Sequence, residues 1–426
     1  MKSSAPAPGE KRNPLRRFLS VLGPGVITGA ADDDPSGVAT YSIVGAQLGT
    51  SLLWTSWLTW PLMAVVQMAC ARIGMVTGQG LASGLRKKWP RTILIAATLA
   101  LFAANTINIA ADLAGMADAA AMLSGVHSRV FVFAFGMGIL WATVRLHYGQ
   151  IARVLKWLAL ALFAYVVTAI HVGPDWGAVL RDALVPAWPR GSEAWKALVA
   201  LLGTTISPYL FFWQASEEVE EEKAIGRIRL RDREGATRPE LAERRLDVGV
   251  GTFFSNLVMF FIILTTALTL HRHGWTRLQT SREIAEALRP LAGPFAETVY
   301  SVGLVGVGLL AIPTLAGSAA YAFAETFGWK QGLDRRLVHA RAFYAVVIAS
   351  TAIGMALDLV KIDPVSALYW SAIINGLLAP FLLVGILVVA SDSKIMKGQE
   401  VPALSRIVVG VTTALMFAAA IGMFVF

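Results

Sequence analysis

The sequence predicts an all-α, multi-pass membrane protein of about eleven transmembrane helices, built as an inverted repeat with its first and sixth helices broken. Three observations predict it. The 426 residues are 56% hydrophobic and only 15% charged, with a mean hydropathy of +0.60. Soluble globular domains are about 45–50% apolar and about 25% charged. Apolar runs near the ~20 residues that a spanning helix needs recur along the whole chain. Two of these runs, five spans apart, are interrupted at a proline, the mark that inverted repeats leave in corresponding positions of their halves.

The elements follow in order. The tail 1–17, "MKSSAPAPGEKRNPLRR", is polar and basic and lacks the apolar core and cleavage site of a secretory signal. It reads as a short disordered cytoplasmic tail before one membrane domain, 18–426. The expected spans are 18–47, 50–74, 92–123, 129–146, 154–172, 195–216, 247–271, 295–326, 338–359, 365–391 and 403–426. The first, third and eighth are long enough to hold breaks or tilted ends. Residues of about 18–172 and 195–391 form the two repeats, and 403–426 is an extra helix.

With the N-terminus inside, the inner connecting segments hold 28 of the 37 Lys and Arg residues. That excess is what the positive-inside rule requires. It puts the N-terminus in the cytoplasm, the C-terminus outside, and the protein in the plasma (inner) membrane. The net charge of +9 and the pI near 9.8 then reflect topology and lipid-headgroup contact, not nucleic acid. The lone Cys70 excludes an internal disulfide and a cysteine-rich metal site, and reads as a small buried residue. The tryptophans are mostly interfacial anchors. The long charged segment 217–246 reads as a cytosolic loop with some amphipathic helix. Its Glu217, Glu218, Glu220, Glu221 and Glu222 are a solvated acidic face balanced by nearby Arg, or else a cation-concentrating inner mouth.

The first span contains "ADDDPSG", with Asp32, Asp33 and Asp34 in its middle. One charged side chain at mid-bilayer costs at least roughly 2.5–3.5 kcal/mol. Pro35 disfavours helix at Asp34, and Gly37 lets the chain leave helical geometry cheaply. Broken helix at this depth is tolerated only inside protein or along a water-filled cavity, where freed carbonyls become ligands. A carboxylate with carbonyl oxygens is a hard-cation site. The plainer alternative is an extramembrane loop between two short helices, but the 14-residue run upstream is too short to span. Asp32 and Asp33 face an aqueous vestibule or pair with a basic group. The sixth span is interrupted at Ser207-Pro208-Tyr209.

These residues resemble the NRAMP family of divalent metal transporters, and in particular its divergent, magnesium-transporter-like branch. Asp34-Pro35-Ser36-Gly37 stands where that family has Asp-Pro-Gly-Asn, and Ser207-Pro208-Tyr209 where it has Met-Pro-His. Asp112-Leu113-Ala114-Gly115 stands for its Asp-Leu-Ala-Glu. The stretch "APFLLVGILVVASDSKIMKG" is similar to its tenth span and the loop after it. The resemblance covers about residues 18–400 and implies a fold of the leucine-transporter type. It implies Asp34 as the charged ligand, the carbonyls of Ala31 and Thr204 as further ligands, and Ser207 and Gly37 lining the site through water. Replacing the family's methionine and asparagine by Ser207 and Gly37 leaves an all-oxygen site, which suits magnesium and manganese.

The resemblance also places Tyr209 and Gln214 at the family's proton-path histidines, and Gly115 at its glutamate. Histidine is the side chain that titrates near neutrality unperturbed, so proton coupling is in doubt. Asp33, Asp112, Tyr209 and Gln214 are accessory or proton-path candidates. Asp112 and Asp118, six apart, do not share a helical face, whereas Asn105 and Asn108 do and read as glue between helices. Ala372 stands where the family has glutamine, leaving Asn375 as a polar substitute.

The implied function is secondary transport of a divalent cation, Mg2+ or Mn2+, by alternating access. The cation is cargo, and no cofactor is expected. Bilayer and cation are the expected partners, with oligomeric state left open. A sodium-coupled organic-solute symporter on the same fold is the competing reading. An enzyme is not supported, because no nucleophile, metalloprotease or phosphate-loop motif is present.

Overall fold

A computed structural model describes residues 24–145, 161–187, 191–333, 335–358 and 363–425. Among these residues the regular structure is helical. The expected tail 1–17 and the start of the first span lie outside the described residues.

The first span is two helices, α1 (Pro24–Asp32) and α2 (Pro35–Leu48). Next come α3 (Trp54–Thr77), α4 (Arg91–Ser124) and α5 (Ser128–Arg145). The fifth expected span is represented by α6 (Phe163–Val172), and its residues 154–160 lie outside the described ones. The sixth is again two helices, α7 (Ser192–Thr205) and α8 (Pro208–Ala224). Then follow α9 (Arg238–Thr269), α10 (Ala296–Phe327), α11 (Arg341–Leu357), α12 (Pro364–Ala390) and α13 (Ala403–Val425). Among the described residues eight helical segments are long and apolar enough to cross a bilayer; α6 and α11 are shorter apolar helices.

Two boundaries differ from the sequence reading. The segment 217–246 keeps a connecting stretch only at 225–237, with a short helix at Leu230–Arg233. α8 continues to Ala224, and α9 begins at Arg238 behind a capping box in which Thr237 and Glu240 satisfy each other's backbone. The acidic run is not a solvated face, since Glu218 and Glu222 are buried.

The breaks sit centrally. α1 and α2 pack on α9, and α7 packs along α12. These approaches are close because glycine permits them. A Cβ on Gly29 of α1 would collide with the backbone of Gly251 on α9, and one on Gly203 of α7 with Ala372 and Gly376 of α12. At the periphery, α13 and α5 turn large apolar side chains outward, among them Leu404, Ile407, Met137 and Trp141. That is the surface a helix shows to lipid. Trp57, Trp176, Trp275 and Trp370 are exposed, but Trp195 and Trp213 are core residues.

Candidate functional site

The unwound residues of the first break are aspartates, and the Pro-Ser-Gly after them begins the next helix. α1 ends at Asp32, and Asp33 and Asp34 are the unwound residues. Pro35 is the first residue of α2, where its fixed φ and missing N–H suit a helix start. Gly37 therefore does not leave helical geometry. It lies in the first turn of α2, and its N–H caps onto Asp34 Oδ1 at 2.7 Å. The Ser36 hydroxyl donates to the same oxygen at 2.8 Å. Asp34 is thus the N-cap of α2, extended at φ −67° and ψ 170°. The second break repeats the form: α7 ends at Thr205, and Ser207, extended at φ −74° and ψ 129°, precedes Pro208 as first residue of α8.

Each proline also frees a carbonyl. In an α-helix the carbonyl of residue i accepts from the N–H of residue i+4. For Ala31 that residue is Pro35, and for Thr204 it is Pro208; neither has an N–H. A buried carbonyl without a donor is costly, so both find one. Tyr209 donates its hydroxyl to the Ala31 carbonyl at 2.8 Å, and Ser207 donates its hydroxyl to the Thr204 carbonyl at 2.6 Å. The Ser207 hydroxyl also lies 3.0 Å from the Gly203 carbonyl. Ala31, Asp34, Thr204, Ser207 and Tyr209 are all buried.

A third helix completes the centre. Asn108 of α4 donates from Nδ2 to Asp34 Oδ2 and to Asp112 Oδ2, both at 3.1 Å. Its Oδ1 accepts from Asn375 Nδ2 of α12 at 2.9 Å. Asn108 is therefore not merely helix glue, as its spacing from Asn105 suggested. Asn105 does serve as glue, donating to the Leu315 carbonyl at 2.9 Å and to the Ser318 hydroxyl at 2.8 Å, both on α10. Asp112 joins the centre, whereas Asp118 accepts from the Ser281 backbone N–H at 3.2 Å, away from it.

Asp32 and Asp33 neither line an open vestibule nor meet a basic group among the described residues. They are 1% and 5% exposed. Ser255 of α9 has its hydroxyl 2.7 Å from Asp32 Oδ2 and 3.2 Å from Asp33 Oδ1. Packing of α1 on α9 buries them, which sequence spacing does not reveal. Gln214 is apart from the break: its Nε2 donates to Glu218 Oε1 at 2.7 Å. Gly115 gives way to α12, since a Cβ there would lie 2.8 Å from Cδ1 of the buried Leu368. Among the described residues no group of three or more His, Cys, Asp and Glu side chains is placed to hold a metal. The donor set at the breaks is instead one carboxylate with neutral oxygens.

The acidic run, expected to be balanced by nearby Arg, forms a second polar cluster whose partners the fold selects. Arg244 of α9 is paired with Glu218 at 2.8 Å, with Asp247 at 2.6 Å, and with Glu221. Asp247 Oδ2 also accepts the backbone N–H of Gly25, at the start of α1, at 2.7 Å. A cavity of about 200 Å³ lies here, lined by Glu218, Glu221, Glu222, Arg227, Glu240 and Arg244. The hydrogen bond from Arg227 to Glu240 holds the Arg227 guanidinium above its ordinary value. Three carboxylates close to one arginine, spread over 30 residues of sequence, form a pattern that only the folded chain assembles.

Two helices broken at facing positions, each opened by a proline, define a membrane protein of the leucine-transporter fold type. The family model described as "Natural resistance-associated macrophage protein-like" (Nramp) matches residues 25–426. The chain belongs to the Nramp family and is a multi-pass integral membrane protein. It is 30% identical to a divalent metal cation transporter, MntH, of Yersinia pestis over 72% of this chain and 73% of that one. To the MntH of Deinococcus radiodurans it is 27% identical over 93% of this chain and 87% of that one. Among solved structures it is similar to the Eremococcus coleocola manganese transporter, with a TM-score of 0.75 and 17% identity over 96% of this chain and 87% of that one. It is also similar to Mhp1, a nucleobase-cation-symport-1 family transporter, with a TM-score of 0.56 and 15% identity over 94% and 90%. At such identities these two likenesses show the fold alone. The relatives are transporters, not enzymes.

Proposed function

We propose that this protein carries divalent metal cations, Mg2+ and Mn2+, across the plasma membrane by alternating access around the two breaks. One observation supports this most: a buried carboxylate, Asp34, caps one break while Pro35 and Pro208 free the carbonyls of Ala31 and Thr204 at the two breaks. Asp34 supplies the charge. The two carbonyls replace water when Tyr209 and Ser207 release them, and Ser207 and Gly37 leave room for retained water. An all-oxygen set with no thioether suits hard cations that keep part of their hydration shell. This donor set supports reading the chain as a member of the magnesium-transporter-like branch of its family. The names of the MntH relatives agree with the cation class.

Transport is uncoupled from protons in this reading. The described histidines, His127, His171, His271, His273 and His339, are none of them buried, and the family's histidine positions hold Tyr209 and Gln214. One bundle rocks against a scaffold around the two broken helices, in a chain whose repeats are residues 18–172 and 195–391, with the N-terminus in the cytoplasm and the C-terminus outside.

Proteoliposomes holding an ion dye and a pH dye test the proposal. Uptake of both ions without internal acidification is expected, and Asp34→Asn lowers it at least tenfold. Unchanged uptake by Asp34→Asn removes the site; sodium-dependent uptake of an organic solute, with no divalent uptake, replaces the cargo.

A further inference from the structure

We infer that Asn108 and Asn375 form an amide pair that keeps the cation's place in the ion-free site and then turns to supply an oxygen ligand. The inference rests on the reading of the breaks as a cation site and names a ligand beyond them.

Asn108 is fully buried on α4. Its amide nitrogen lies between two carboxylates, 3.1 Å from Asp34 Oδ2 and 3.1 Å from Asp112 Oδ2. An amide NH2 carries two donors and partial positive charge. In this arrangement it does at this point what a cation would do, at lower charge. Its oxygen faces the other way, accepting from Asn375 Nδ2 at 2.9 Å, with the Ser36 hydroxyl at 3.5 Å. Two atoms around the pair lack partners although buried: Asn375 Oδ1 and Asp112 Oδ1. A buried acceptor without a donor costs about 1–3 kcal/mol, so an arrangement that uses these atoms is favoured once something supplies the missing charge.

That arrangement is within reach. A half-turn of the terminal torsion of Asn108 exchanges its nitrogen and oxygen at almost constant shape, and that torsion is soft. Oδ1 then faces the space between Asp34 and Asp112, where an arriving cation repels the N–H groups. Nδ2 then faces Asn375. The same half-turn of Asn375 brings its unpartnered Oδ1 round to accept. The mutual hydrogen bond is kept in both states, and its direction reverses. The amide oxygen that the break lacks, because residue 37 is glycine, is delivered from α4. Packing did not exclude a side chain at 37, since a Cβ there would meet nothing nearer than 3.4 Å. A purely structural Asn108 would need the bond to Asn375 but would have no reason to bridge both carboxylates.

The test uses the full-length protein in detergent. Affinities for Mg2+ and Mn2+ are measured by titration calorimetry, and melting points with and without each ion. Asn108→Leu is expected to lose at least tenfold in affinity for both ions, the scale of loss when groups that orient metal ligands are removed. Asn375→Leu removes the acceptor that the turned Asn108 needs and loses affinity in the same direction. Asn108→Asp offers an oxygen permanently. It keeps native affinity within about threefold and lowers the ion-free melting point, because three carboxylates then face each other. Loss of affinity by Asn108→Asp equal to that of Asn108→Leu overturns the oxygen-ligand role. Native affinity in Asn108→Leu or in Asn375→Leu, with only the melting point changed, overturns it in favour of helix glue. If Asn108→Leu does not survive purification, Asn108→Ser takes its place with the same two outcomes. A native protein that binds neither ion overturns the cation site itself, a result distinct from all of these.

Discussion

At the scale of single residues, the two prolines do more than interrupt helices. Each selects, by a count of four, the carbonyl that loses its partner, and these are Ala31 and Thr204. The hydroxyls of Tyr209 and Ser207 then act as removable caps on two prospective ligands. This predicts a particular phenotype for Tyr209→Phe. The Ala31 carbonyl is left bare in the ion-free protein, at a cost of about 1–3 kcal/mol. The ion-free melting point falls, and stabilisation by Mg2+ grows, because the ion no longer has to displace a hydroxyl. Thermal melts with and without Mg2+ check both. A smaller Mg2+ shift than native would mean that the Tyr209 hydroxyl itself serves the ion.

At the scale of elements, the helix breaks depend on neighbours that come within backbone contact. A Cβ on Gly203 would lie 2.8 Å from the Gly376 Cα, with other atoms of α12 nearer still. Gly203 adjoins Thr204, and Gly376 adjoins Asn375. Gly203→Val therefore wedges α7 from α12 at the site itself. Overpacking of this kind costs about 1–3 kcal/mol, and here it also displaces the Thr204 carbonyl, a proposed ligand. The expected result is a lower melting point and a loss of most of the Mg2+-induced shift. Gly249→Val on α9, where a Cβ meets nothing within 4 Å, changes neither and serves as control.

The same elements show what the sequence could and could not say. Hydropathy located the helices, and Pro35 and Pro208 located the breaks, because both are properties of single segments. Counting four residues back from each proline also reaches Ala31 and Thr204. The partners of Asp32 and Asp33, the reach of Asn108 to Asp34, and the burial of Glu218 depend on which helices touch. No local period encodes that. Pro35 does keep Asp34 out of the helix, but Gly37 does not leave it, because proline at a first helical position also starts a helix and Gly37 falls in its first turn.

At the scale of the whole molecule, alternating access needs a device that closes one side of the site while the other is open. Arg244 is placed to be that device. It joins α9 to α8 through Glu218 and Glu221, and it braces Asp247, which accepts the backbone N–H of Gly25 at the start of α1. A buried arginine with several carboxylates is a poor source of net stability but costly to break, because removing one partner strands the others. In Arg244→Met the stranded Glu218 and Asp247 are relieved when α1 swings off α9 and water enters. The variant thus shifts the population towards the state open on this face, the cytoplasmic one in the proposed orientation. Thr28, buried three residues after Gly25, reports it. With Cys70→Ser removing the native thiol, a cysteine introduced by Thr28→Cys should resist a water-soluble thiol reagent in the native background. In Arg244→Met it should react at least tenfold faster, with circular dichroism showing that the helices persist. Excess Mg2+ should slow the reaction if the closed state is the one that binds the ion better, since a ligand moves an equilibrium only by its difference in affinity for the two states. Equal labelling rates in both backgrounds would leave the Arg244 cluster a static brace and put the gate elsewhere.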